Sequence, residues 1–123
     1  MKPRWCLIAL LLGGCDSVLV DPAYRAAGPG DYRSAFEAML QMAEAGSTGA
    51  SFVVASMYDL GRGTARDEAE AARWYRAAAE SGDRDAQFAI GLMYRDGRGL
   101  RRDGVEADRW LARARSADDG PRM

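Results

Sequence analysis

Two Gly-Arg-Gly tripeptides are the segments whose composition comes closest to that of a reactive site. They span residues 61–63 and 97–99. Glycine-rich loops can cradle a phosphate, but such a loop follows a β-strand and opens a helix, and no strand is predicted near either tripeptide. We therefore interpret both tripeptides as turns between helices, and we expect Arg62 and Arg98 to be solvated.

The acidic residues are the other side chains that could act in catalysis. Asp67 and Asp103 each precede a glutamate by three positions, which is the spacing of a helix capping box, so we predict N-caps rather than acids. Asp83 and Asp85 fall in a predicted turn between repeat units and are expected to face water. A glycosidase needs two carboxylates on opposite walls of a cleft, and no such pair is indicated by this sequence.

The residue types that are missing exclude several kinds of site. The chain has no histidine among its 123 residues, which removes the commonest general base and the commonest metal ligand. Its cysteines, Cys6 and Cys15, both lie near the N-terminus, so no zinc site or disulfide framework is predicted in the folded part. We predict a non-enzymatic protein with no catalytic, cofactor-binding or metal-binding residues. A net charge of −1 gives no indication of a nucleic-acid partner.

The elements that position these residues form an internal repeat. An ungapped shift of 36 residues places residues 50–78 over residues 86–114 and gives 14 identities in 29 positions. The identities include the rare residues Trp74 and Trp110. A partial copy, matching only the second half of the unit, begins at Asp31. Self-similarity at this period predicts a repeat architecture of about two and a half units.

Each unit predicts two helices joined by one Gly-Arg-Gly turn. In the first helix apolar residues recur at a spacing of four, as in Ala50, Val54 and Tyr58. The two glycines of the turn end this helix because they tolerate the positive φ of a C-cap. The second helix carries an apolar stripe, formed in one unit by Ala71, Trp74, Tyr75 and Ala78. Both tryptophans are thus predicted to be core residues.

This pattern resembles the Sel1-like repeat, a relative of the tetratricopeptide repeat. The resemblance is closest in Trp74-Tyr75-x-x-Ala78-Ala79 and Ile90-Gly91-x-x-Tyr94. It implies an all-α fold over residues 31–116, namely a short right-handed α-solenoid of antiparallel helical hairpins. Some positions depart from the family pattern, and they include Ala55 in place of Gly, Leu111 in place of Tyr, and Arg115 in place of Ala. The departures in the last unit are typical of a capping repeat, which has a more polar outer face.

The N-terminus has the features of an export signal. Residues 1–14 have a charged start and a short apolar centre, as in a signal peptide. Leu12-Gly13-Gly14-Cys15 then resembles the bacterial lipobox, which implies cleavage before Cys15 and a lipid on Cys15 itself. The alternative is that Cys15 merely ends an ordinary signal peptide. Residues 15–30 are predicted to contain the lipidated cysteine and a linker rich in proline and glycine, and residues 117–123 a C-terminal tail. We expect a lipid-anchored protein of the bacterial cell envelope, at the periplasmic face of the inner or outer membrane.

Positions on the first helices that the repeat leaves variable are candidates for binding. In related superhelical folds the first helix of each unit lines the concave face, where partners bind. By this analogy the candidate partner-binding residues are Ser56 and Asp59 in one unit and Leu92 and Arg95 in the next. These positions are alternatively ordinary surface sites. The favoured function is an adaptor or scaffold that binds a protein or peptide in the envelope.

Two other functions stay open at this level. Some cysteine-rich proteins of similar repeat type have been linked to β-lactamase-like activity, so a cell-wall-directed enzyme acting on β-lactams or peptidoglycan is one of them. This chain lacks their paired cysteines and has no Ser-x-x-Lys motif. The other is a truncated repeat protein that needs a partner to fold, because repeat arrays usually require about three units.

Overall fold

The structure, a computed structural model, describes residues 29–116, and over this range the chain contains five helices and no strand. The helices are α1 (Pro29–Glu44), α2 (Thr48–Leu60), α3 (Glu68–Glu80), α4 (Arg84–Asp96) and α5 (Gly104–Ser116). Each helix packs on its neighbours in sequence, most extensively within the hairpins α2–α3 and α4–α5. The helix α1 is the second helix of an incomplete first unit. The predicted all-α solenoid of about two and a half units is confirmed.

The segments predicted at the two ends of the chain are almost entirely outside the described residues. The predicted signal peptide, Cys15 and the C-terminal tail lie outside the described residues. So does most of the predicted linker, although its last two residues, Pro29 and Gly30, belong to α1. Among the helices within residues 29–116, none is both long enough and apolar enough to cross a bilayer.

Short polar side chains begin four of the helices. The Asp67 carboxylate accepts hydrogen bonds from two backbone amides of α3, at 3.0 and 3.1 Å, and Asp103 does the same for α5. Both predicted N-caps are present in the structure. Asp83, which was expected only to face water, also caps a helix: its carboxylate accepts from the Ala86 amide at 2.8 Å. Ser47 occupies the matching position one unit earlier and caps α2.

The two glycines of each Gly-Arg-Gly turn have different roles. Gly61 and Gly97 end α2 and α4 with φ angles of 66° and 68°, as predicted for C-caps. Gly63 instead lies directly against the backbone carbonyl of Tyr32 in α1, where a methyl group would collide with that oxygen. The next unit repeats this contact 36 residues later, between Gly99 and the carbonyl of Glu68. At these glycines the backbone of one unit therefore directly contacts the backbone of the preceding unit.

Small residues and tryptophans build the core between the helices. Trp74 and Trp110 are only 8% and 5% exposed, which confirms them as core residues. The alanines of the apolar stripes are buried almost completely, so neighbouring helix backbones approach closely. The largest fully buried side chains belong to the first helices, namely Val54, Ile90 and Met93. The recurring residues of the sequence repeat are thus largely scaffold.

Candidate partner-binding surface

The first helices α2 and α4 carry the four residues predicted to bind a partner. Ser56 is half-buried and hydrogen-bonds Tyr75 of α3. The Asp59 side chain is 19% exposed and accepts a hydrogen bond from Arg98 Nη1 at 3.3 Å. These two residues therefore make contacts within the scaffold, although both still reach the surface.

The Asp59–Arg98 pair joins one unit to the next. Arg98 belongs to the second Gly-Arg-Gly turn, and its Nη1 also lies 3.9 Å from a carboxylate oxygen of Glu68. Arg98 is partly solvated, as expected, with 40% of its side chain exposed, and its guanidinium also lies between two carboxylates of the preceding hairpin. A partly exposed ion pair of this kind contributes roughly 0–1 kcal/mol to stability.

Tyr75 lies beside this pair and is affected by it. Burial raises the pKa of the Tyr75 phenol above its ordinary value of 10.0, and the negative charge of Asp59 raises it further. The hydrogen bond with Ser56 and the positive charge of Arg98 act in the opposite direction. The neutral phenol ring packs edge-on against Phe52, with ring centroids 5.5 Å apart. Tyr75 is therefore a packing residue of the scaffold and not a catalytic acid.

The two predicted residues of α4 differ in exposure. Leu92 is half-buried. Arg95 is exposed, with its Nε 3.1 Å from a carboxylate oxygen of the neighbouring Asp96. Of the four predicted positions, Arg95 thus offers the most accessible side chain, and binding by the four remains a prediction.

A more open surface lies between α1 and α2. Here a cavity of about 430 Å³ is lined by nine residues, and we call it the N-terminal groove: Tyr32, Ala35, Met39, Phe52, Val53, Ser56, Met57, Leu60 and Arg62. Val53 and Leu60 both line the groove and are 40% and 59% exposed, so this surface presents apolar side chains to water. Of the nine residues only Ser56 was predicted as a site residue. The available signal was a substitution between units, since Leu60 stands where the next unit has Asp96.

The described residues offer little that could drive a reaction. Within residues 29–116 no three acidic, cysteine or histidine side chains converge to hold a metal ion. A second cavity, of about 570 Å³, lies between α1 and the turn after α2. It is lined by Arg33, Phe36, Glu37, Gly61, Gly63, Thr64 and Ala65, and the charged groups of Arg33 and Glu37 lie 3.7 Å apart. Its lining contains one carboxylate, that of Glu37, and therefore no pair of carboxylates.

Comparison with known families decides the relationship of this chain. The Sel1 repeat model matches residues 36–83 and 84–119, which is more than half of the sequence. The chain belongs to the Sel1 repeat family. Proteins of the Sel1 repeat family are generally protein–protein interaction modules on a non-catalytic scaffold. The comparison with curated proteins gives no significant match.

Three solved structures share this fold. A Sel1 repeat protein from Oxalobacter formigenes is 32% identical, with a TM-score of 0.67 over 68% of this chain and 35% of its own. A protective antigen of uropathogenic Escherichia coli is 34% identical, with a TM-score of 0.68 over 73% of this chain and 19% of its own. The cysteine-rich protein B of Helicobacter pylori shares the fold at 21% identity, with a TM-score of 0.63 over 66% of this chain and 61% of its own. This chain therefore spans about a third, a fifth and three fifths of the three relatives.

Proposed function

We propose that this Sel1 repeat protein is a non-catalytic adaptor that binds a protein or peptide of the bacterial envelope. The observation that carries the proposal is the N-terminal groove, where apolar side chains of two helices are left in contact with water. Covering exposed apolar surface is favourable by roughly 25 cal/mol per Å², so such a groove favours association with another surface. The general role of the family as an interaction module supports the same function.

The second part of the proposal is that a lipid on Cys15 tethers the domain to a membrane at the periplasmic face. Support comes from the charged start, the short apolar run and the lipobox-like Leu12-Gly13-Gly14-Cys15. Several acyl chains, each stabilised by about 0.8 kcal/mol per buried methylene, would form a lasting anchor. In this arrangement the membrane and the partner protein are the two things the molecule contacts, without nucleic acid or metal.

Mass spectrometry of the mature protein from membranes tests the tether. We expect an N-terminus at Cys15 that carries the mass of acyl chains, and fractionation with membranes. The Cys15→Ala variant should lose both, whereas Cys6→Ala should behave as the unchanged protein because Cys6 lies in the discarded segment. An unmodified Cys15 in a soluble fraction would refute the tether and leave the binding module untouched.

Photo-crosslinking in intact cells tests the binding function. A photoreactive amino acid is placed at Leu60 in the groove, at Arg95 on α4, or at Val105 as a control that is 63% exposed at the other end of the chain. We expect discrete protein adducts from Leu60 or Arg95 and none from Val105. Adducts from neither test position, with the protein at normal abundance, would contradict an adaptor function.

A further inference from the structure

The repeat geometry shows which helix is missing at the N-terminal groove. In α3, four positions form the buried stripe beside α2, and Tyr75 among them contacts Phe52 and Ser56 of α2. The stripe consists of Ala71, Trp74, Tyr75 and Ala78, none more than 8% exposed. The matching residues of α1 are also apolar, yet none of them is buried: Ala35, Ala38, Met39 and Met42. Within the described residues no first helix covers α1, and its apolar stripe forms one wall of the groove.

The opposite end of the solenoid is built differently. Ala72 and Ala79 of α3 are 4% and 1% exposed. The matching positions of α5 hold Asp108 and Arg115, which are both exposed. Charged residues at these positions make α5 a polar cap, as the end of a solenoid requires. The N-terminal end has apolar residues where a cap would have polar ones, so its groove is suited to an occupant.

Two occupants from this chain fit poorly. A second copy stacked head to tail would bring Asp108 and Arg115 onto the apolar stripe of α1, which would bury two charges without partners. The sequence before α1 does not match that of a first helix, because the 36-residue shift sets Asp21 against the buried Met57 and Pro22 against Tyr58. A first helix with this sequence would put a carboxylate in the core and a proline in its last turns, and both are costly.

The charge at the rim of the groove indicates the chemistry of the occupant. Arg62 and Arg98 are equivalent residues, and Arg98 pairs with Asp59 of the preceding first helix and lies near Glu68 of the preceding second helix. Arg62 lines the groove, but the residue equivalent to Glu68 is Tyr32, and no ion pair of Arg62 is formed within residues 29–116. A first helix placed on α1 would bring its own residue at the Asp59 position beside Arg62.

We propose that the N-terminal groove binds an amphipathic helix of a partner protein, which supplies the missing first helix of the incomplete unit. The inference rests on the proposed adaptor function and specifies the partner segment. The segment is about as long as α2 and α4, which have 13 residues each. Its apolar face has small or medium residues at the positions of Ala50, Val54 and Met57, and a carboxylate near its C-terminus pairs with Arg62.

A peptide copy of α2, residues 48–60 with a fluorescent label, tests this inference by anisotropy against the full-length chain in detergent. We expect saturable binding of one peptide per chain. A matched peptide with Asp59→Arg should bind about tenfold more weakly, because it places a second cation beside Arg62. The protein variant Arg62→Glu should reverse the preference between the two peptides.

Two substitutions in the groove test the binding surface on the protein, and one on α5 is the control. Val53→Asp and Leu60→Glu change exposed side chains, so the helical content by circular dichroism should stay unchanged while peptide affinity falls at least about tenfold. Val105→Asp, at a valine of α5 that is 63% exposed, is the control and should leave the affinity unchanged. Equal affinity of all these variants, or no binding of either peptide at about 1 mM, would overturn the inference.

Other occupants would give distinct results that also overturn it. A dimer in sedimentation velocity that Leu60→Glu dissociates would show a second copy in the groove. An intramolecular crosslink from Leu60 to residues 16–27 would show that the chain covers its own groove. Photo-crosslinked partner adducts from Arg95 alone would leave the adaptor function standing and remove the groove from it.

Discussion

The two complete hairpins, α2–α3 and α4–α5, share a backbone path but differ in how their helices meet. Gly91 in α4 lies against α5, where a Cβ atom would stand 2.8 Å from Leu111 Cγ. The equivalent residues in the first hairpin are Ala55 and Tyr75, both buried. The first hairpin thus has an alanine and a tyrosine where the second has a glycine and a leucine. The two hairpins therefore differ at both positions of this pair.

The hairpins differ again at one buried polar position. Ser51 in α2 donates a hydrogen bond to the Ser47 carbonyl of its own first turn, at 3.0 Å. The equivalent Gln87 in α4 reaches across to α3, where its side-chain amide donates to the Ala79 carbonyl at 3.2 Å. One position therefore makes a hydrogen bond within its own helix in one unit and a contact between units in the other. Equivalent backbone positions do not imply equivalent side-chain contacts.

The largest effect is expected where the two hairpins are most alike, at the second glycine of the turn. Gly99→Ala should destabilise the fold by about 3 kcal/mol, because the new methyl group meets the Glu68 carbonyl and the φ of 71° is strained for alanine. Urea unfolding followed by circular dichroism measures the change. Gly104→Ala, at a glycine with open space around its Cα, is the control and should change stability by less than about 1 kcal/mol. Equal effects of the two substitutions would show that the contact between units is not tight.

The difference between Gly91 and Ala55 predicts a coupled pair. Gly91→Ala alone should cost about 1–3 kcal/mol, since Leu111 must move by several tenths of an ångström. Adding Leu111→Tyr recreates the first hairpin's pair in the second and should recover about 1 kcal/mol of that loss. A double-mutant cycle in urea measures the coupling. Strictly additive effects would mean that the two positions pack independently.

The N-caps should behave alike in both hairpins. Asp67→Ala and Asp103→Ala should each cost about 1 kcal/mol, because each removes the acceptor for two backbone amides. Asp108→Ala, at an exposed site within α5, is the matched control and should stay within about 0.5 kcal/mol of the unchanged protein. A clear difference between the two cap variants would show that the hairpins have unequal stability.

The smallest expected effect is a pH dependence of stability caused by Tyr75 in the first hairpin. The equivalent residue of the second hairpin, Leu111, does not titrate. The pKa of Tyr75 is raised above 10.0 in the folded protein, chiefly by burial. The unfolded chain therefore loses this proton first, and the stability that the neutral phenol contributes is lost as pH rises from 10 through the folded pKa. Tyr75→Phe should reduce that loss, whereas its effect on stability should be constant between about pH 6 and 8. Urea titrations at each pH test this, and an unchanged alkaline slope would contradict it.

The sequence alone was sufficient for the scaffold. The 36-residue shift predicted the helices, the caps at Asp67 and Asp103, and the buried tryptophans, because each depends on residues close together in the chain. It could not predict the Asp59–Arg98 pair, which joins residues 39 positions apart. The groove was missed for a different reason. Its exposure depends on whether a further helix packs on α1, and an apolar stripe has the same sequence pattern with or without such a helix.

The contacts of Gly63 and Gly99 with the preceding helix have a mechanical consequence. Backbone touching backbone sets the rise from one unit to the next without any side chain between them. At this contact the spacing of the stack depends on the backbone, so replacing exposed side chains elsewhere should leave the distance between equivalent sites nearly constant. Equivalent sites therefore recur at a constant distance, once every 36 residues. A partner that contacts two consecutive units at once must fit that distance.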